Sequence, residues 1–388
     1  MCPRARHAPA LVTLAALLAP AAAGTAVAQQ AAIDSVFAAY NRTDAPGCAV
    51  GVVRDGELAF ARGYGMANLE HGIALSPRSV FRIGSVSKQF TAAAVVLLEQ
   101  DGAIALDDPV RRHIPELPDY GPEFTIRRLL THTSGVRDYL VLMDLAGLRG
   151  DDYYTDDQVL ALLARQPSTN FEPGSEFLYS NSGYFLLSQI VKRATGRTLA
   201  EYARAQIFEP LGMRDTHFHD DHTRVVPDRA TGYAPLESGD GADDDAAGAD
   251  GRVSPDWRIS VTTLPMIGDG GVFTTVEDLA LWDRNFDQST VGGPAFVESM
   301  LRRGVLTGGD TLTYALGLGH GTQRGLPVVA HGGAFVGYRA ASLRYSGQGV
   351  SVYTLCNRAD ANPSRLAGQV GAALLADRGI DYLDGPVK

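Results

Sequence analysis

Residues 89–100 read QFTAAAVVLLEQ and are closed by Asp101-Gly102. Apolar residues occupy nearly every face of the helix this predicts, so it has no side to give to water and must lie buried and central. The stretch that opens it, Phe81-Arg82-Ile83-Gly84-Ser85-Val86-Ser87-Lys88, carries a serine and a lysine three residues apart. That spacing puts both on one face, a single turn apart. Ser85 also sits where free backbone N–H groups and the helix dipole favour negative charge.

Lysine usage sharpens the pair. Only Lys88, Lys192 and Lys388 occur, and every other one of the 34 basic residues is arginine. Arginine keeps its proton at any working pH, whereas a desolvated lysine can release it. Either this chain keeps lysine where a proton has to move, or Lys88 is one of three leftovers of an arginine-biased composition. Ser-x-x-Lys is a common string, so its companions must decide.

Along the chain, an amphipathic helix over Ala31–Tyr40 precedes a β-hairpin, Cys48–Val53 and Glu57–Gly63, on the two-residue turn Asp55-Gly56. From about 105 to 210 the pattern is helices and loops. Thr125 is expected to cap a short helix, 156–165 and 185–194 are helical, and Thr198 with Glu201 forms a capping box. Residues 214–260 are irregular and include an acidic, low-complexity loop, 237–250. Gly268-Asp269-Gly270-Gly271 reads as a turn, and Thr275 with Asp278 starts another helix. After Gly309 the period becomes two: 312–319, 327–330, 338–345 and 350–356 read as strands, and a last helix opens on Asn362-Pro363. Strands at both ends with helices between predict an α/β (α+β) fold. Residues 29–104 and 265–388 would form one discontinuous lobe, an antiparallel sheet flanked by helices. Residues 105–264 would form a helical lobe, with a site in the cleft between.

Two further triplets carry chemistry. Tyr179-Ser180-Asn181 precedes a helix and His331-Gly332-Gly333 ends an apolar strand. Alone, the first is a tyrosine packed where a helix begins and the second a turn with a strand-end histidine. In this order with Ser85 and Lys88, they resemble the serine β-lactamase and penicillin-binding protein superfamily. The branch is the one similar to class C β-lactamases, D-alanyl-D-alanine carboxypeptidases, D-aminopeptidases and related esterases. The resemblance covers about 33–375 and includes Leu129-Leu130-Thr131-His132-Thr133-Ser134-Gly135, Pro210-Leu211-Gly212-Met213 and Gly270-Gly271-Val272-Phe273-Thr274-Thr275.

What it implies is an acyl-enzyme. Ser85 would be the nucleophile and Lys88 would take its proton. Tyr179 would share that proton and pass it to the leaving group; Lys88 or Tyr179 is the base, or the two act as a coupled unit. Asn181 would orient the substrate or the lysine. His331 would hold the third-motif position, Gly332 and Gly333 would let the substrate near the backbone, and the N–H groups of Ser85 and Ala334 would form the oxyanion hole. The substrates would be D-amino-acid peptides or amides, or small esters, with no cofactor or metal. One departure matters. Many β-lactamases have Lys-Thr-Gly where this chain has His331-Gly332-Gly333, and a histidine is mostly neutral at pH 7. That disfavours efficient β-lactam hydrolysis and leaves weak β-lactamase or carboxypeptidase activity as the alternative; a non-catalytic cell-wall-binding relative is the alternative of another class.

Other features bound the reading. Residues 1–28 resemble an export leader: Arg4 and Arg6, an apolar run, then Ala26-Val27-Ala28 before Gln29. The run is too short to span a bilayer, so a periplasmic or secreted protein is expected. The net charge of −10 becomes two units more acidic without the leader's two arginines, which argues against nucleic acid as a partner. Cys48 and Cys356 lie in strand-like runs and either pair or remain buried thiols. His217, His219, Asp220, Asp221 and His222 form a compact polar cluster, read as an exposed loop rather than a metal site. His132 is expected to buttress a helix end.

Overall fold

The computed structural model describes residues 19–121, 124–149, 152–236 and 256–376. The acidic loop 237–250 and residues 1–18 of the expected export leader lie outside the described residues. Helix α1, Ala19–Val36, begins earlier than expected and passes into a 3₁₀ turn, Ala38–Tyr40.

The centre is a six-stranded antiparallel sheet drawn from both ends of the sequence. Strands β1 (Cys48–Arg54) and β2 (Glu57–Tyr64) are followed much later by β3 (Gly319–Gln323), β4 (Leu326–Phe335), β5 (Tyr338–Tyr345) and β6 (Val350–Cys356). The order across the sheet is β3-β4-β5-β6-β1-β2. Asp55 (φ 49°) and Gly56 (φ 80°) make the hairpin turn between β1 and β2, both left-handed as a two-residue hairpin requires. The register sets Cys48 directly opposite Cys356, and the two are joined in a disulfide with Cα atoms 4.0 Å apart.

Both faces of the sheet are covered. Val50, Val52, Val350 and Val352 point to one side, where they pack with Ile33 and Phe37 of the N-terminal region and Leu366 and Val370 of the last helix, Pro363–Ala376. Ala49, Val53, Tyr353 and Leu355 point to the other side and join the larger core. There the helix Val276–Gln288 crosses the sheet, close enough that a Cβ on Gly51 would lie 2.9 Å from Val276 Cβ. The Tyr353 hydroxyl donates to Asp283 of that helix at 2.7 Å.

Helix α2, Lys88–Gln100, lies in the larger core, buried from Lys88 through Val96. Phe90 packs on Trp282, whose indole N–H donates to Gln89 Oε1 at 2.5 Å. Helix α3 (Tyr139–Leu145) and helix α4 (Asn181–Thr195) lie on the approach to its N-terminus.

Several expectations need correction. Thr125 precedes the helix Ile126–Leu130 but makes no side-chain cap bond. The strand expected at 312–319 starts only at Gly319, because Gly317 (φ +72°) turns the preceding loop onto the start of α2. The strand expected to stop at Ala330 continues to Phe335, so His331-Gly332-Gly333 lies inside a strand rather than at its end. The stretch 214–260 is not wholly irregular: His217–Phe218 and Tyr233–Pro235 are short strands.

Candidate active site

From Ser79 to Val96, Ser85 is the one position that is not buried. It lies on a 3₁₀ turn, Gly84–Ser87, that runs straight into α2. Gly84 (φ +51°) makes that turn possible, and a side chain there would sit 2.8 Å from the Ala334 nitrogen. On the facing strand, a Cβ on Gly333 would lie 2.0 Å from Ile83 O. These two glycines therefore let β4 run against the serine turn and bring the Ala334 and Ser85 backbones together.

Lys88 is fully buried, and its ammonium has three partners. Nζ lies 3.0 Å from Ser85 Oγ, 2.8 Å from Asn181 Oδ1 and 2.8 Å from the main-chain oxygen of Asp269. As an ammonium, Lys88 uses all three donors here. As a neutral amine it would keep two N–H bonds to the two fixed carbonyl oxygens and turn its lone pair toward Ser85. Two tyrosine rings complete the cage, with centroids 4.7 Å (Tyr179) and 5.5 Å (Tyr184) from Nζ.

Asn181 is held from behind. It is the first residue of α4, and its N–H donates to Asp138 Oδ2 at 2.5 Å. The other oxygen of Asp138 accepts from Leu140 and Val141 and so caps α3. One carboxylate thus ties two helix N-termini together, and Ser182 adds a bond to the Arg137 carbonyl. Tyr179, two residues earlier, leans on His132 with ring centroids 4.2 Å apart. His132 accepts the Ser180 N–H on Nδ1 at 3.1 Å, so the proton of its neutral ring is on Nε2. Burial first, then the Lys88 charge, holds His132 well below the ordinary histidine range. It buttresses the segment that enters α4, in keeping with the sequence expectation.

His331 lies on β4 with both ring nitrogens engaged. Gly332 O can only accept, so Nδ1 donates to it at 2.5 Å, and Nε2 accepts the Tyr314 hydroxyl at 2.9 Å. Desolvation, with the Lys88 charge second, pushes the imidazole down to about 4, so it is neutral at pH 7. Gly332 is exposed and Gly333 and Ala334 are half-buried on the same strand.

Asp138, which ties the two helix N-termini, escaped sequence reasoning, and so did Tyr314 and Asp269. Tyr314 packs on His132, Phe177 and Tyr179 and bonds His331. Asp269 supplies a carbonyl to Lys88, and its buried side chain accepts the Tyr139 hydroxyl at 3.0 Å. The lone signal for Asp269 was the Gly-Asp-Gly-Gly turn. Elsewhere, His217 and His219 share a bond at 3.1 Å and both sit down at about 4, chiefly by burial. Among the described residues no three His, Cys, Asp or Glu side chains are placed to hold a metal ion. A cavity of about 540 Å³ bordered by Arg127, Arg128, Arg302 and Arg303 holds none of the site residues.

Comparison with known proteins places this geometry. The Beta-lactamase family profile matches residues 33–377. A D-aminopeptidase of Gluconobacter oxydans is 29% identical over 348 residues, covering 90% of this chain but 62% of that protein. Penicillin-binding protein 4* of Bacillus subtilis is 29% identical over 306 residues, 78% of this chain and 66% of that protein. The chain thus spans about three fifths of the D-aminopeptidase it matches, as 62% coverage implies. The crystal structure of D-amino acid amidase from Ochrobactrum anthropi SV3 complexed with L-phenylalanine shares the fold, with a TM-score of 0.74, 24% identity, and coverage of 90% of this chain and 99% of that one. With an antiparallel sheet, a Ser85–Lys88 pair at the head of a buried helix, and a family match over most of its length, the chain belongs to the beta-lactamase family.

Proposed function

We propose that this chain is a serine hydrolase that works through an acyl-enzyme on D-amino-acid peptides or amides, or on small esters. The observation that carries the reading is the 3.0 Å contact between Lys88 Nζ and a partly exposed Ser85 Oγ, with the amine held by two carbonyl acceptors that aim its lone pair at the hydroxyl. In acylation, Ser85 Oγ bonds to the substrate carbonyl carbon while its proton passes to neutral Lys88. The N–H groups of Ser85 and Ala334 receive the oxyanion. The bond to the leaving amine or alkoxide then breaks. Tyr179, packed against Lys88, relays the proton to the leaving group; in deacylation it takes one from the attacking water while its own passes through Lys88 to Ser85 Oγ, which leaves the freed acid.

Substrate class rests on two supports. The relatives named D-aminopeptidase favour a D-amino-acid acyl group. The neutral His331 supplies no fixed ammonium for a substrate carboxylate, which favours amides and esters over carboxypeptidase or β-lactam substrates. An oxidising compartment accords with the Cys48–Cys356 disulfide and with the leader-like N-terminus, so we assign the protein to the periplasm or the medium. Among the described residues no helix is long and apolar enough to cross a membrane.

The test is a substrate panel of D-aminoacyl amides, D-alanyl-D-alanine peptides, nitrophenyl esters and nitrocefin, with fluorophosphonate labelling as a second readout. Ser85→Ala should abolish turnover and labelling. Lys88→Arg should lose at least about a thousandfold, because the charge stays but the proton cannot leave. Turnover that survives Ser85→Ala refutes the assignment. A wild-type protein that binds muropeptides yet never acylates identifies a binding relative instead.

A further inference from the structure

The Gly268–Gly271 turn offers more to Lys88 than a carbonyl. Asp269 is 4% exposed. Its main-chain oxygen holds Nζ, its Oδ2 accepts the Tyr139 hydroxyl, and its Oδ1 is buried with no partner among the described residues. A carboxyl buried this deeply with one oxygen unsatisfied costs stability, and an apolar residue would cost less. Such an arrangement persists where the charge is used.

We infer that the side chain of Asp269 is a positioning residue for the Ser85–Lys88 pair, a buried counter-charge that favours proton transfer from the serine to the amine. The inference rests on the proton role proposed above for Lys88. Of the groups that face this pocket, Arg82 approaches from the strand Phe81–Arg82 and donates its Nε to Gly270 O at 2.9 Å. Tyr139 and Asp138 come from the start of α3, and Tyr338 and Arg229 lie beyond Arg82. Around the amine stand Tyr179, Tyr184, His132 and His331, and neither histidine is charged at neutral pH. The carboxyl groups in this set are Asp138 and Asp269. Asp138 is committed to the N–H groups of Leu140, Val141 and Asn181. Asp269 is therefore the carboxyl of this set with an oxygen lacking a partner among the described residues, and its charge acts on two cations, the buried Arg82 and the ammonium that forms on Lys88. The influence is mutual: burial raises the Asp269 carboxyl, and the Lys88 charge is the leading influence that holds it down.

The step is balanced within the pair. The Ser85 O–H bond breaks, an N–H bond forms on Lys88, and the new ammonium stays bonded to the main-chain oxygen of Asp269, the residue whose side chain would supply the counter-charge. Asp269→Asn keeps the shape and can still accept the Tyr139 hydroxyl, but removes the charge. The measurement is the pH profile of kcat/KM with a nitrophenyl ester, with circular dichroism and melting to verify the fold. Without the carboxylate the ammonium form loses support. The acidic limb should therefore move about one pH unit lower, and the plateau should fall roughly tenfold. Tyr139→Phe removes the donor that favours the carboxylate, so its limb should move the same way by less. A folded Asp269→Asn protein with an unmoved limb, or with one moved upward, overturns the inference. If Asp269→Asn does not fold, the Tyr139→Phe limb decides by the same rule. A wild-type profile with no acidic limb removes the proton role of Lys88 itself, and this inference with it.

Discussion

Gly332 and Gly333 are neighbours on one strand, and the structure predicts opposite fates for them when each becomes alanine. A methyl group at Gly333 would lie 2.0 Å from the oxygen of Ile83, which is fully buried, and 3.2 Å from the Ser85 nitrogen. Separation to ordinary contact requires a shift of at least about 1 Å between β4 and the serine turn. No flexible side chain can absorb it, because the obstacle is backbone. Overpacking of this kind costs about 1–3 kcal/mol of stability. The shift also separates the Ala334 and Ser85 N–H groups, and misplacement of about 1 Å at a reacting centre costs on the order of 100-fold in rate, near 2.7 kcal/mol of barrier. At Gly332 the nearest atom to a new methyl is Ser364 Oγ at 3.7 Å, an ordinary contact. Gly332→Ala should therefore melt within about 0.5 kcal/mol of the parent, and its labelling with fluorophosphonate should fall far less than that of Gly333→Ala. The assay is urea unfolding plus the rate of labelling for both variants. Equal losses in the two, or a Gly333→Ala protein that labels like the parent, would refute the claim that close approach of β4 builds the site.

Two other outcomes follow from the same structure. Removal of the disulfide by Cys48→Ser with Cys356→Ser, or by reductant, should lower stability by about 2–5 kcal/mol, because it frees a loop of sequence separation 308; unfolding curves with and without reductant measure this, and coincident curves would show that register alone holds β1 to β6. His217, His219 and His331 each sit down at about 4, below the unfolded value near 6.5, so the unfolded chain binds protons first. Their contribution is fully present above about pH 6.5 and is lost as pH falls toward about 4, whereas Asp278, raised to about 6, acts in the opposite sense across most of that window, from about pH 6 downward. Melting temperature against pH should show the decline, and His219→Phe should make it shallower; an unchanged slope would count against a buried neutral His219.

Residues with distinctive chemistry were the legible part of this chain. Ser85, Lys88, Tyr179, Asn181 and His331 are types that carry protons or charge, set beside helix and strand signals, and the fold brings them to one place. Tyr314 was not legible, because Leu312–Gly319 alternates like a strand. The alternation is broken by Gly317, whose added Cβ would lie 2.6 Å from the Gln89 nitrogen, and no local pattern encodes that distant obstacle. Asp269 was read as part of a turn, which it is, but the direction of its carbonyl depends on the packing of the turn against α2. The two glycines after His331 suggested a strand end. They mark instead a strand that continues because another backbone lies against it. The choice between a disulfide and free thiols at Cys48 and Cys356 needed strand register, which residue spacing alone does not give.

The position of β1, between β2 and β6, has a consequence for synthesis of the chain. While a ribosome makes the polypeptide, the hairpin of β1 and β2 emerges with one hydrogen-bonding edge bare. Its partner strand, Val350–Cys356, follows only much later, with Cys356 separated from Cys48 by 308 positions. Until then that edge is open to foreign strands, so mispairing of β1 is the hazard this topology carries during synthesis.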